Sequence, residues 1–293
     1  MVTQCSTFPI SIKGISIIYE WMIGVGAGME LTHRGFNVII AILSTLTLAY
    51  IVFPLTTILT FLDPLNIFES LARQGVWNAF ILSLFTATIS TSILCVIGIP
   101  FAYFLARYSD SRGKFILRAI VIIPLVLPPL ASGTLLLGMF APTSISALAF
   151  PGAEFTQSVL GIILAQTYIA SPFMILASQA AFESVDRSYE NVARVLGKNN
   201  LQTFFRVSLP LARTGIIIGI IMSWVRAVGE LGATMMMTYN PHTISIQIFE
   251  DNAIGGLTQA APGIILVVTL PILVVILFYI LEKNKVQGLL KLG

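Results

Sequence analysis

Charge is what this chain has least of. Aspartate, glutamate, lysine and arginine together make up 10% of its 293 residues, against 56% hydrophobic ones, whereas a soluble surface needs roughly 25–35% charged side chains. An ordinary soluble protein is thereby excluded, and the chain must live in lipid. Cysteine is scarce as well. Cys5 lies in the N-terminal tail and Cys95 in an apolar run, which argues against a disulfide framework and against a thiolate metal site. His33 and His242 stand alone, no H-E-x-x-H occurs, and the phosphate loop G-x-x-x-x-G-K-S/T is missing, since Gly113-Lys114 runs into Phe115 without the earlier glycine. The chain is therefore expected to carry no catalytic residue, no metal and no cofactor, and not to hydrolyse ATP by itself. A net charge of +3 gives no reason to expect nucleic acid as a partner.

Six long apolar runs are present: Asn37–Leu62, Trp77–Ala106, Ile116–Phe140, Ser158–Phe182, Leu211–Met237 and Ala260–Leu281. Each exceeds the ~20 residues a helix needs to cross a bilayer. The expected fold is all-α and integral to the membrane, with six transmembrane helices in a domain covering residues 36–293. Pro54, Pro100, Pro124, Pro128, Pro129, Pro172 and Pro271 favour kinks within the runs. Small residues mark packing faces: Gly215 and Gly219 in the fifth run, and Ser83, Ala87 and Thr91 in the second. Residues 1–35 read as an extension, either an interfacial helix or disordered. Ile10–Ile18 is apolar, but Lys13, Glu20 and the lack of a small-residue cleavage site argue against a signal peptide, and Met29 is an alternative start.

The cations fall asymmetrically. With the N-terminus inside, the inner segments hold Arg34, then Arg107, Arg112, Lys114 and Arg118, then Arg187, Arg194, Lys198, Arg206 and Arg213, then Lys283, Lys285 and Lys291, while the outer loops hold only Arg73. The positive-inside rule then places both termini in the cytoplasm of a multi-pass protein of the cytoplasmic membrane. On the same side falls a polar loop, residues 183–210. Tyr189, Val192, Ala193 and Leu196 recur at i, i+3, i+4 and i+7, which makes one apolar face of a short helix, with Asp186 as its N-cap and Gly197 as its stop. An amphipathic helix in a loop expects a groove to receive it.

The spacing of this loop resembles the E-A-A-x3-G-x9-I-x-L-P element by which permease subunits of importing ABC transporters dock a cytoplasmic ATPase. Asn191 and Val192 stand at its first Glu and Ala, Ala193 at its second Ala, Gly197 at its Gly, and Val207, Leu209 and Pro210 at its I-x-L-P, with Glu190 one position before the expected carboxylate. Two further stretches point to the oxyanion branch. Pro124-Leu125-Val126-Leu127-Pro128-Pro129, followed by Gly133, resembles the P-x-V-L-P-P motif of oxyanion permeases. Arg226-Ala227-Val228-Gly229-Glu230-Leu231-Gly232-Ala233-Thr234 is close to the R-x-x-G-E-F-G-A-T pattern of molybdate, tungstate and sulfate permeases. The resemblance runs from about residue 77 to 281. It implies ATPase coupling through Tyr189, Glu190, Asn191, Val192, Ala193, Arg194, Gly197 and Pro210. It also implies two copies of an ATPase carrying ATP-Mg, a second permease subunit forming a homodimer with the path on its axis, and an external binding protein that selects the cargo. That cargo is molybdate or tungstate, or alternatively sulfate.

Candidates for the path or its gate are Pro128, Pro129, Gly133, Arg226, Gly229, Glu230, Gly232 and Thr234. The prolines deny backbone donors, which is either local unwinding beside a path or a structural kink. Arg226 and Glu230, at i and i+4 on one helix face, form either a structural ion pair or an anion contact through Arg226. A secondary transporter would not explain the loop. An intramembrane enzyme using Glu230 lacks a second catalytic group.

Overall fold

In lipid the backbone must be satisfied within helices or a closed barrel, and a computed structural model shows the long apolar runs as helices. It describes residues 36–61, 73–108, 111–142, 144, 149–150, 152 and 154–290, with side chains left out at 59, 111, 275 and 277–290. Among the described residues everything regular is helical. The extension 1–35 lies outside them. The chain divides into two units at Thr60. The described part of the first is a helix, α1, Phe36–Thr57, running into a 3-10 turn that starts at Ile58. Its hydroxyls turn back on the helix: Thr45 and Thr47 donate at 2.8 Å to the carbonyls of Ala41 and Leu43, which hides two polar groups from lipid.

The second unit holds α2 (Gln74–Arg107), α3 (Ser111–Val126), α4 (Pro129–Phe140), α5 (Val159–Glu183), α6 (Arg187–Val195) and a short broken helix, α7, Asn200–Leu211, with a π turn at Phe204–Ser208. After these come α8 (Arg213–Val228), α9 (Gly232–Met237) and α10 (Ile244–Leu290). Among the described residues, α1, α2, α5 and a stretch of α10, Ile244–Val274, are each long and apolar enough to cross a membrane. Two bent pairs raise that number to six if each counts as one span: Arg112–Val126 with Pro129–Phe140, bent by 108°, and Asn200–Leu211 with Arg213–Val228, bent by 78°.

Helix α5 is central, packed against α2 and α8. Glycine sets the approach of α8: a Cβ on Gly215 would stand 2.6 Å from the Cβ of Ala181, and one on Gly219 would stand 3.1 Å from that of Ala177. The small residues of α2 do more than pack. Ser83 accepts the backbone N–H of Ile244 at 2.8 Å, capping the start of α10, and Ser90 donates to the carbonyl of Ile163 on α5 at 3.1 Å.

Three expected elements differ. The third run is two helices, because two adjacent prolines each push the preceding residue out of the α region, and Pro128 (φ −53°, ψ 135°) ends one helix while its carbonyl opens the next. Pro100, Pro124 and Pro172, standing singly, stay inside their helices. The fifth run also stops, at Gly229, and resumes at Gly232, so Arg226 and Glu230 do not share one continuous helix. Residues 244–259, which lie between the fifth and sixth apolar runs, are helical up to and beyond a kink at Gly256 (φ 66°). That kink is clamped. Arg73 forks onto Asp251 at 2.8 and 3.4 Å and donates to the carbonyl of Gln259 at 2.7 Å.

Candidate functional site

Local rules build the loop between α5 and α8. The carboxylate of Asp186 accepts the backbone N–H of Ser188 at 2.8 Å, starting α6, and that bond holds its pKa below the ordinary carboxylate range. At the far end Gly197 sits at φ +80°. Its N–H reaches the carbonyl of Arg194 at 2.9 Å and that of Lys198 reaches Ala193 at 3.0 Å, the double closure of a Schellman motif. A reciprocal capping box between Asn199 and Gln202 opens α7.

The helix these caps define has two faces. Tyr189 and Val192 are both 58% exposed, Leu196 74% and Val195 87%, an apolar face with nothing on it among the described residues. Glu190 and Ala193 point the other way and are buried. Ala193 therefore leaves the expected apolar docking stripe, and Val195 joins it. Glu190 corrects expectation further, since it is turned away from the exposed face. Its Oε1 takes the Arg107 Nε of α2 at 2.8 Å and the Ser208 hydroxyl of α7 at 2.8 Å. Both ionic side chains are 5% exposed or less, and Arg194, one turn on in α6, adds a longer pairing to the other carboxylate oxygen at 3.8 Å. Asn191, Arg194 and Pro210 remain exposed on the loop's surface. Arg107 and Ser208 were not legible as site residues, because nothing local ties Arg107 to a carboxylate 83 positions on.

The second candidate set comes together where the two broken runs cross. Pro128, Pro129, Arg226, Gly229, Glu230 and Gly232 line one cleft of about 360 Å³, with Leu130 and Leu231. Glycine lets α4 and α9 touch. A Cβ on Gly133 would lie 2.7 Å from the Cα of Ala233, and one on Gly232 would lie 2.8 Å from the Cβ of Pro129. Those two glycines serve close packing. Glu230, 1% exposed, holds both sides of the break: one oxygen pairs with Arg226 at 2.5 Å and the other accepts the backbone N–H of Ala233 at 2.8 Å, in the first turn of α9. The Arg226 side chain is 29% exposed, with one face on the cleft. Thr234 is fully buried, and its hydroxyl has no partner among the described residues. A larger cavity of about 540 Å³ between α2, α4 and α5 is almost wholly apolar and contains none of these groups. Among the described residues no three histidine, cysteine or carboxylate side chains gather to hold a metal. His242 is not isolated in space, since its Nδ1 lies 3.1 Å from Glu250.

A helical membrane bundle with crossed broken helices and a capped amphipathic loop has the construction of a transport permease. The chain belongs to the family described as the binding-protein-dependent transport system inner membrane component, which matches residues 98–287. It is 36% identical over 261 residues to a probable molybdenum ABC transporter permease protein of Haloferax volcanii, covering 89% of this chain and 95% of that one. It is 34% identical over 248 residues to the molybdate/tungstate transport system permease protein of Pyrococcus abyssi, covering 84% and 95%. Among solved structures, a bacterial ABC transporter involved in the import of the acidic polysaccharide alginate superposes with a TM-score of 0.58 at 15% identity, over 95% of this chain and 99% of that one. That likeness concerns the fold.

Proposed function

We propose that this chain is the pore-forming subunit of an ATP-driven importer of molybdate and tungstate. The observation that carries the coupling half is the bare apolar face of α6 on a helix fixed from behind by a buried ion pair. A helix so held is suited to receive a push. Family membership supports a binding protein as partner, and the named relatives support the cargo. In this reading six spans place both termini and the loop in the cytoplasm, which the cation asymmetry supports. Two copies of the chain enclose the path, two ATPase subunits carrying ATP-Mg dock on the two loops, and an external binding protein delivers the anion. The cleft at the crossed breaks lies along the path. Glu230 neutralises Arg226 there, so the site passes an oxyanion without holding it tightly.

The test is uptake of labelled molybdate by the full complex in proteoliposomes, with binding protein outside and ATP inside. Tungstate is expected to compete on equal terms, and a large excess of sulfate to leave uptake unchanged. Equal competition by sulfate would move the cargo to the sulfate class, and uptake without an ATPase subunit would remove the chain from this mechanism.

A further inference from the structure

Three segments of the second unit, α2, α6 and α7, meet at the Glu190 carboxylate, and only α6 and α7 are joined through the loop's own chain. Helix α5 runs into α6 through Ser184–Asp186, and α7 runs on to α8 through Ala212, so any displacement of α6 reaches α5 and α8 covalently. The end of α2 has no such link. Its connection to the loop is side-chain chemistry. Arg107 Nε bonds Glu190 at 2.8 Å, and its Nη2 donates to the carbonyl of Val185 at 2.7 Å. Arg187 donates to the carbonyl of Ala106 at 3.1 Å. Above this polar node Tyr103 of α2 sits edge-on to Phe182 of α5 and Phe204 of α7, at 5.1 and 4.9 Å between ring centres. A charge pair this buried is screened far less by salt than a surface pair, and its hydrogen-bond geometry resists the sliding that an apolar contact allows.

We propose that Arg107 and Glu190 are positioning residues that form a strut, making α2 move as one body with the coupling helix. Without the strut α6 can still be docked and pushed, but α2 lags behind. The inference rests on the reading of α6 as the ATPase-docking helix, and the two separate experimentally. Docking is read from ATPase stoichiometry, and the strut from cargo moved per ATP hydrolysed.

The experiment uses the assembled complex in proteoliposomes. Arg107→Gln is expected to keep the co-purified ATPase and its hydrolysis while uptake per ATP falls roughly 2- to 30-fold, the range that mutations within a coupling network produce. The exchange Arg107→Glu with Glu190→Arg is expected to recover part of that loss, which a lost packing contact would not. A wild-type ratio in Arg107→Gln overturns the strut, and so does loss of the ATPase from a properly inserted variant, which would make the pair a brace of the docking face only. Should Arg107→Gln fail to insert, spin labels decide the matter with Arg107 and Glu190 intact. Labels at Ser188→Cys and Tyr108→Cys, with Cys5 and Cys95 changed to serine, are expected to keep their separation between nucleotide-free and ATP-trapped states. A change beyond about 2 Å, the size of helix shifts at moving interfaces, shows that α2 and α6 move apart and overturns the proposal.

Discussion

Replacing Val192 by glutamate is expected to strip the ATPase from the complex while leaving the chain inserted. Val192 is central to the exposed face of α6, so the free subunit tolerates the charge in water. A carboxylate carried into an apolar groove without a partner loses its hydration at a cost of about 3 kcal/mol or more. Each 1.4 kcal/mol is about tenfold in affinity, so the expected weakening is about two orders of magnitude. Gly197→Val should act in the same direction by a different route. Open space surrounds Gly197, so no clash is involved, but its φ of +80° strains a β-branched residue and loosens the turn that orients α6. Ala193→Glu should differ from both. Ala193 faces the interior beneath the loop, and the new charge should lower the amount of inserted chain before any docking step is reached. The measurement is ATPase stoichiometry per inserted permease. Full stoichiometry in Val192→Glu would remove α6 as the docking helix.

Arg226→Ala and Glu230→Ala are each expected to reduce assembled complex sharply, and the double variant to recover part of the loss. The carboxylate is the costlier orphan. Glu230 is 1% exposed and bonded to Arg226 at 2.5 Å, so removing the arginine leaves a buried charge that keeps, among the described residues, the Ala233 N–H, at about 3–5 kcal/mol. Removing Glu230 costs the break its bridge as well, because the same side chain holds the last turn of α8 to the first of α9. Partial recovery in the double variant is the signature of a pair. If Arg226→Ala instead assembles at wild-type level and loses uptake, Arg226 serves the anion directly.

Local chemistry was legible in the sequence, and contacts across it were not. Asp186 and Gly197 follow capping rules that involve only their neighbours, and the structure places both at the ends of α6. Gly215 and Gly219 follow a spacing rule for close helices, and Ala181 and Ala177 meet them. Periodicity grouped Ala193 with Tyr189, Val192 and Leu196 because all four fall on adjoining turns. Which side of that band is covered depends on the distant Arg107, which claims Glu190 and turns Ala193 inward with it. The third and fifth runs read as continuous because hydropathy does not register direction. The 108° bend at Pro128-Pro129 and the interruption at Gly229–Leu231 follow from missing backbone donors and from Glu230 bonding to Ala233, neither of which alters apolar content.

The most direct test of the account is the reactivity of a single cysteine at position 196. Leu196 is 74% exposed on the face assigned to the ATPase. In Leu196→Cys, with Cys5 and Cys95 changed to serine, a membrane-impermeant thiol reagent is expected to label the protein from the cytoplasmic side only, and bound ATPase should protect the site. Labelling from the outside, or equal labelling rates with and without the ATPase, would contradict the assignment of α6 as its docking helix.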